Sequence, residues 1–288
     1  MSAFGTTDGN PGAALLARKT WRTLEPLHGM IYFVPEAAAA YAAIGITGRG
    51  GYFASRAAPM GAVSAEVVVS TFFNFNPALV HAAIPAAWGI ASPRQLIAAR
   101  FTAVDAACRR LLGDEVLASE EMRRAAELAR VAADAACHHI EGRPLAAGHA
   151  DVPWPEPPHL ALWHAQSILR EFRGDGHVAL LVVHELSGIE ALVTHAAAGD
   201  VPARILQATR GWPAEAWDQA VRTLWERGWL ERGEQARFTD WGATQRASIE
   251  DGTDTLAAAP YVVLGERGCA ELRALVRPWS RVFAEQLR

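Results

Sequence analysis

A chain of 288 residues holds material for about two domains at ~150 residues each, which excludes a disulfide-stapled mini-protein or a single helical repeat. Apolar residues make up 51% and charged residues 20%, the balance of a folded chain rather than a disordered one. A net charge of -4 argues against a surface built throughout for polyanions, although a local basic face stays open.

In chain order, Met1 to Gly12 has neither the basic start nor the apolar stretch of a secretory signal. No apolar run reaches the ~20 residues a bilayer requires, so the expectation is a cytoplasmic protein with no membrane partner. Apolar residues then recur at three and four spacings over Ala13 to Leu24, Pro35 to Ile44, Pro93 to Leu112 and Ser119 to His138. Val34-Pro35 and Ser92-Pro93 read as helix starts with proline in the first turn. The stretch from Gly142 to Pro158 carries prolines and glycines that deny both helix and interior strand, so it reads as a linker. Helical spacing resumes over His159 to Phe172, Ile189 to Ala197, Ala214 to Arg227 and Glu266 to Gln286. Cys108, Cys137 and Cys269 are odd in number and far apart, and they read as free buried thiols.

The two halves share landmarks at a nearly constant offset. Tyr41-Ala-Ala-Ile-Gly45 faces His195-Ala-Ala-Ala-Gly199, and Ala54-Ser-Arg56 faces Ala208-Thr-Arg210, both 154 residues apart. Trp88-Gly89 faces Trp241-Gly242, and Leu112-Gly113 faces Leu264-Gly265, at offsets of 153 and 152. In the second half a short helix at Ala203 to Ala208, a turn at Gly211 to Pro213 and a helix at Ala214 to Arg227 precede a small hairpin turning at Gly233. The expected fold is therefore mainly α with small β-wings. It would comprise two tandem winged-helix-like domains from an internal duplication, residues 1–141 and 159–288, with residues 142–158 as a Pro-rich linker.

The run LWERGWLERGEQARFTDWG, continuing through IEDGTDTLAAAP, resembles the MarR-type winged-helix regulators over roughly Leu180 to Phe283. Including SRAAPMG and TFFNFNPALV, most of the chain is similar to a poorly characterised actinobacterial group known for its helix-turn-helix. The resemblance implies a fold more than an activity. If it extends to DNA, the base-reading and phosphate-holding candidates are Gln219, Arg222, Arg227, Arg232 and Arg237. Glu215, Asp218, Glu226, Glu231 and Glu234 nearly cancel their charge, and the equivalent first-half segment GAVSAEVVVSTFF has no basic residue, so DNA is the disfavoured partner.

The preferred reading is a small-molecule pocket for an aromatic or polycyclic ligand, serving sensing, sequestration or self-protection. Its candidate residues are His28, Tyr32 and Glu36 at spacing four, then Arg56, then Asn74 and Asn76 within Phe72-Phe-Asn-Phe-Asn-Pro77. Core packing explains a lone histidine and the phenylalanines equally well, and Asn76-Pro77 is also an ordinary turn signal. His159 and His164 are five apart, and His184-Glu185 lacks the second histidine of a zinc helix, so no metal site is read. With no GxSxG, P-loop or post-strand GxGxxG, the cofactor is unknown and an enzyme in the same cavity is a third reading.

Overall fold

The protein is described from a computed structural model over residues 11–199, 201–233 and 235–287. Helix α1 (Pro11–Gly29) leads through a 3-10 turn at Met30–Tyr32 into α2 (Pro35–Ala43) and α3 (Arg49–Ala57). A second 3-10 turn at Ala58–Met60 precedes α4 (Ala65–Phe72), α5 (Pro77–Ala83), α6 (Ala86–Ile90) and α7 (Pro93–Leu112). The chain continues as α8 (Asp114–Leu117), α9 (Glu120–Cys137), α10 (Pro144–Ala150), α11 (Pro158–Val183) and α12 (Gly188–Ala197). Then come α13 (Ala203–Arg210), α14 (Ala214–Glu226), α15 (Asp240–Leu256) and α16 (Ala259–Ala284).

Local chemistry sets these boundaries. Ser92 caps α7 in a reciprocal box with Gln95 while Pro93 occupies the first turn, and Ser187 caps α12 in the same way with Glu190. Within the span read as a linker, Pro144 starts α10, because a proline at the first helical position loses no intrahelical hydrogen bond.

The β-wings are absent: no strand occurs among the described residues. What stands in place of the second-half hairpin is one antiparallel bridge between Leu230 and Phe238. The Glu231 N–H donates to the Arg237 carbonyl at 2.9 Å and the Thr239 N–H to the Trp229 carbonyl at 3.1 Å. An isolated two-stranded ribbon is marginal on its own, and Trp229 and Leu230 are instead buried in a helical core. In the first half, the segment before α7 folds as α5 and α6, since Asn76 caps a helix that Pro77 opens. Trp88 accordingly lies on α6, whereas Trp241 lies in the first turn of α15. Gly113 and Gly265 share one backbone conformation, with φ/ψ of 81°/155° and 77°/164°.

The chain forms two compact units from interleaved segments, so the units do not follow a cut at 142–158. Unit one comprises Met1–Ala62, Ala87–Gly176 and Asp254–Arg288; unit two comprises Val63–Ala86 and His177–Thr253. In unit one, α1 and α9 pack along α16, and α2 and α3 pack on α7. Ala125, Ala129, Ala132 and Ala136, with Met122 and Leu128, make up much of the buried side of α9, and the small alanines permit close helix approach. Helix α10 lies against the Ala58–Met60 turn, and a Cβ at Gly148 would sit 2.8 Å from the Pro59 carbonyl, so only glycine permits this contact.

In unit two, α12, α13 and α14 pack together over a core containing Leu192, Val193, Leu206, Trp217, Leu224, Trp229 and Ile249. Gly211, in the left-handed conformation with φ 71°, ends α13 and turns the chain into α14. Among the described residues, no single helix is long and apolar enough to cross a membrane.

Candidate functional site

The densest chemistry lies inside unit one, along the N-terminal part of α11. That helix buries His159, His164, Gln166, Ser167, Glu171, Arg173 and Asp175 alongside Leu162, Trp163, Ile168 and Phe172. A helix enclosed on most sides must take its polar residues inside with it. Burying such groups is tolerable only where each finds a partner.

Glu171 is the best satisfied of them. Its carboxylate accepts from Arg56 through Nε at 3.2 Å and Nη2 at 3.0 Å, and from Arg170 Nη1 at 3.0 Å. Burial opposes its ionisation, yet the Arg56 and Arg170 charges hold the carboxyl well below its usual range. Arg170 also donates to Glu25 at 3.1 Å, and Arg56 to the Tyr52 hydroxyl at 3.2 Å.

Around Arg100 of α7 the accounting is incomplete. This guanidinium, only 3% exposed, donates to the Ser55 carbonyl and to the Tyr32 hydroxyl, each at 3.2 Å, and meets His28 Nε2 at 3.5 Å. It lies over the Trp163 ring at 5.1 Å and the Tyr32 ring at 5.8 Å. Among the described residues, no carboxylate pairs with it. The His28 ring stacks on Trp163 at 5.3 Å and meets Tyr32 edge-on at 5.6 Å.

Six side chains in this region hold buried polar atoms without a hydrogen-bond partner. They are His28 Nδ1, Arg100 Nε, His149 Nε2, Trp163 Nε1, His164 Nε2 and both amide atoms of Gln166. Burial, helped by the nearby arginine charges, pushes the imidazoles towards neutrality: His149 to about 3, His164 to about 4, and His28 well below its ordinary value. Arg100, His149, Trp163 and His164 line a small cavity of about 10 Å³ with apolar walls from Ile97, Phe101 and Val152.

Of the residues singled out from sequence, His28, Tyr32 and Arg56 belong to this region. Their link is Tyr52, whose ring lies 5.1 Å from Tyr32. Glu36 does not join them: it pairs with Arg110 at the surface, 3.1 Å through Nη2, and that hydrogen bond lowers its pKa. Asn74 and Asn76 belong to unit two. The Asn74 carbonyl accepts from Trp212 Nε1 at 2.9 Å, while Asn76 caps α5 and donates to the Gly211 carbonyl at 2.8 Å. These are structural duties. Arg100, His149, Trp163, Gln166 and Glu171 were not singled out from sequence, and His164 was weighed only as a metal ligand.

Unit two presents the helix-turn-helix pair α13 and α14. Gln219 and Arg222 are exposed on α14 and bond each other at 2.8 Å, with Glu215, Asp218 and Glu226 also exposed on that helix. Arg232 and Arg237 are exposed beside the bridge. Arg227 is committed elsewhere, donating to the carbonyls of Glu185 at 2.9 Å and His184 at 3.1 Å. Among the described residues, no group of three or more His, Cys, Asp or Glu side chains could hold a metal ion.

A family model described as a helix-turn-helix family matches residues 17–287. No curated protein and no solved structure matches the chain.

Proposed function

The chain belongs to that helix-turn-helix family, and from this premise we propose that it binds a small polar molecule within the buried cluster of unit one. The carrying observation is the set of partnerless buried atoms on His28, Arg100, His149, Trp163, His164 and Gln166. Native proteins leave few such groups, and each costs roughly 1–3 kcal/mol when unsatisfied. Six such side chains in one neighbourhood, four of them lining one small cavity, supply the donors and acceptors that a small polar molecule needs. The aromatic or polycyclic ligand expected from sequence does not fit a cavity of about 10 Å³, so the ligand is small. Sensing and sequestration both follow from such a site. Native mass spectrometry of the purified protein, compared with the denatured chain, tests the reading: an adduct lost on unfolding supports it. A clean apo mass, with no thermal stabilisation by any small polar compound, refutes it.

A second reading, DNA contact through α14, is favoured by the family match, the MarR-type run ending in TDWG and the exposed Gln219, Arg222, Arg232 and Arg237. The acidic residues on the same helix limit it to non-specific affinity, on the order of 10⁻⁴ to 10⁻⁶ M at physiological salt. Fluorescence anisotropy with duplex DNA measures this directly. A nanomolar site lost in the Gln219→Ala/Arg222→Ala double variant would make DNA the principal partner instead.

A further inference from the structure

We propose that the ligand of this cluster is a small monoanion, with Arg100 as its charge partner; the proposal rests on the ligand-binding reading above and specifies its chemistry. The charges in the neighbourhood do not balance. Arg56 and Arg170 are matched by Glu171 and Glu25 through the hydrogen bonds already described. That leaves the buried Arg100 guanidinium, among the described residues, with only neutral partners: a carbonyl, a phenol, an imidazole and two aromatic faces. The Tyr32 hydroxyl does not supply the missing negative charge, since burial pushes its pKa up. A buried cation without a counter-charge is strongly unfavourable, and a bound anion removes the imbalance.

The partnerless atoms fit the same sign. Arg100 Nε, Trp163 Nε1 and Gln166 Nε2 can only donate, and the neutral His28 and His149 imidazoles can turn an N–H to their open nitrogens, whereas His164, whose other ring nitrogen bonds the Val152 backbone, keeps its open nitrogen as an acceptor. The Gln166 amide oxygen and the His164 nitrogen are the acceptors among them, against five donors. Arg100, His149 and Trp163 line the cavity together, and donors set around a buried position recognise an oxygen anion or a halide. The cavity of about 10 Å³ is close to the least that admits a water molecule, which limits the occupant to an ion of a few heavy atoms at most. Its apolar walls, Ile97, Phe101 and Val152, favour a weakly hydrated ion over a multiply charged one such as sulfate.

The test is a thermal titration of the full chain at pH 7.5 in sodium gluconate, whose anion is too large for the cavity. Sodium chloride, sodium nitrate or sodium formate replaces it at constant ionic strength, and formamide serves as the neutral analogue of formate. The expected result is a saturable rise of the unfolding midpoint by several degrees with at least one anion, which also identifies the ion as halide, oxyanion or carboxylate. Arg100→Gln should abolish the rise. Trp163→Phe, which keeps the ring and removes one donor, should weaken the apparent affinity about tenfold, and it carries the test if Arg100→Gln does not fold. A rise that never saturates, or one unchanged in both variants, overturns the site. Stabilisation by formamide but by none of the anions overturns the charge assignment while leaving a ligand site in place. No effect of any probe, with a single water on these side chains in a crystal structure, overturns both readings.

Discussion

Acidification from pH 7.5 to pH 5 opposes two sets of buried groups, and replacing Asp175 by Asn separates them. Burial holds the folded pKa of His149 near 3 and of His164 near 4, against about 6.5 in the unfolded chain. At pH 5 the unfolded chain has taken up both protons and the folded chain neither, so stability falls by about 2 kcal/mol for each histidine. His28 is displaced in the same direction and adds to the loss. Asp175 acts the other way. Burial raises its folded pKa to about 7, so the folded chain binds a proton at pH 5 that the unfolded carboxylate, with a pKa near 3.9, does not. Its stabilisation is present in acid and is lost as pH rises through 7, which returns about 2.5 kcal/mol on going to pH 5. The wild-type chain should therefore lose at least about 1.5 kcal/mol between the two pH values, and Asp175→Asn at least about 4 kcal/mol. Asn keeps the hydrogen bond, because its amide oxygen can still accept from the Ala146 N–H that Asp175 Oδ2 accepts at 2.9 Å. Urea unfolding of both proteins at each pH, followed by circular dichroism, gives the four free energies. Equal pH dependence in the two proteins would refute the reasoning.

Removing the charge of Glu171 with Glu171→Gln leaves Arg56 buried against a neutral amide and Arg170 with Glu25 alone, and the cost should be about 3–5 kcal/mol. At roughly 2–4 °C per kcal/mol, calorimetry should find the unfolding midpoint lowered by about 6–20 °C, and a change under about 2 °C would contradict the burial of this pair. In unit two, a Cβ at Gly242 would lie 1.9 Å from the Trp229 carbonyl oxygen, so Gly242→Ala must displace the first turn of α15. Denaturant titration should show a loss of about 1–3 kcal/mol, the usual cost of overpacking.

The helices were legible because apolar spacing and proline or serine starts are local signals. Ser92-Pro93 illustrates this, with a capping serine, a proline in the first turn and Gln95 closing the box. The wing misled for an equally local reason. Trp229-Leu230 and Phe238, on either side of a turn at Gly233, carry a strand pattern, but their burial comes from the helices of unit two. Pro144 was read as a helix breaker when its position made it a helix starter. The interleaving of the two units had no local signature, since it depends on contacts between segments far apart in sequence. In the candidate site, spacing four picked out His28 and Tyr32, whereas Arg100 in PRQLIAARFTAV looks like any solvent-facing arginine. The available clue was α11: HLALWHAQSILREFRGDG has apolar residues around its whole circumference, and such a helix is enclosed together with its His164, Gln166 and Glu171.

That enclosure bears on why the polar residues are there. Well-packed apolar side chains in place of a buried ion pair are commonly neutral or stabilising, so stability alone does not account for Arg56, Arg170 and Glu171. The triad does have a geometric consequence. Glu171 fixes Arg56, Arg56 holds the Tyr52 hydroxyl, and Tyr52 packs on Tyr32, whose hydroxyl accepts from Arg100. A long arginine held at its tip by Tyr32 and by the Ser55 carbonyl keeps its Nε in one place, beside a void that Trp163, His149 and His164 also line. The chain from Glu171 to Arg100 thus fixes a positively charged donor group in place, and under the proposed ligand-binding reading such prearrangement favours binding because little further ordering would be needed.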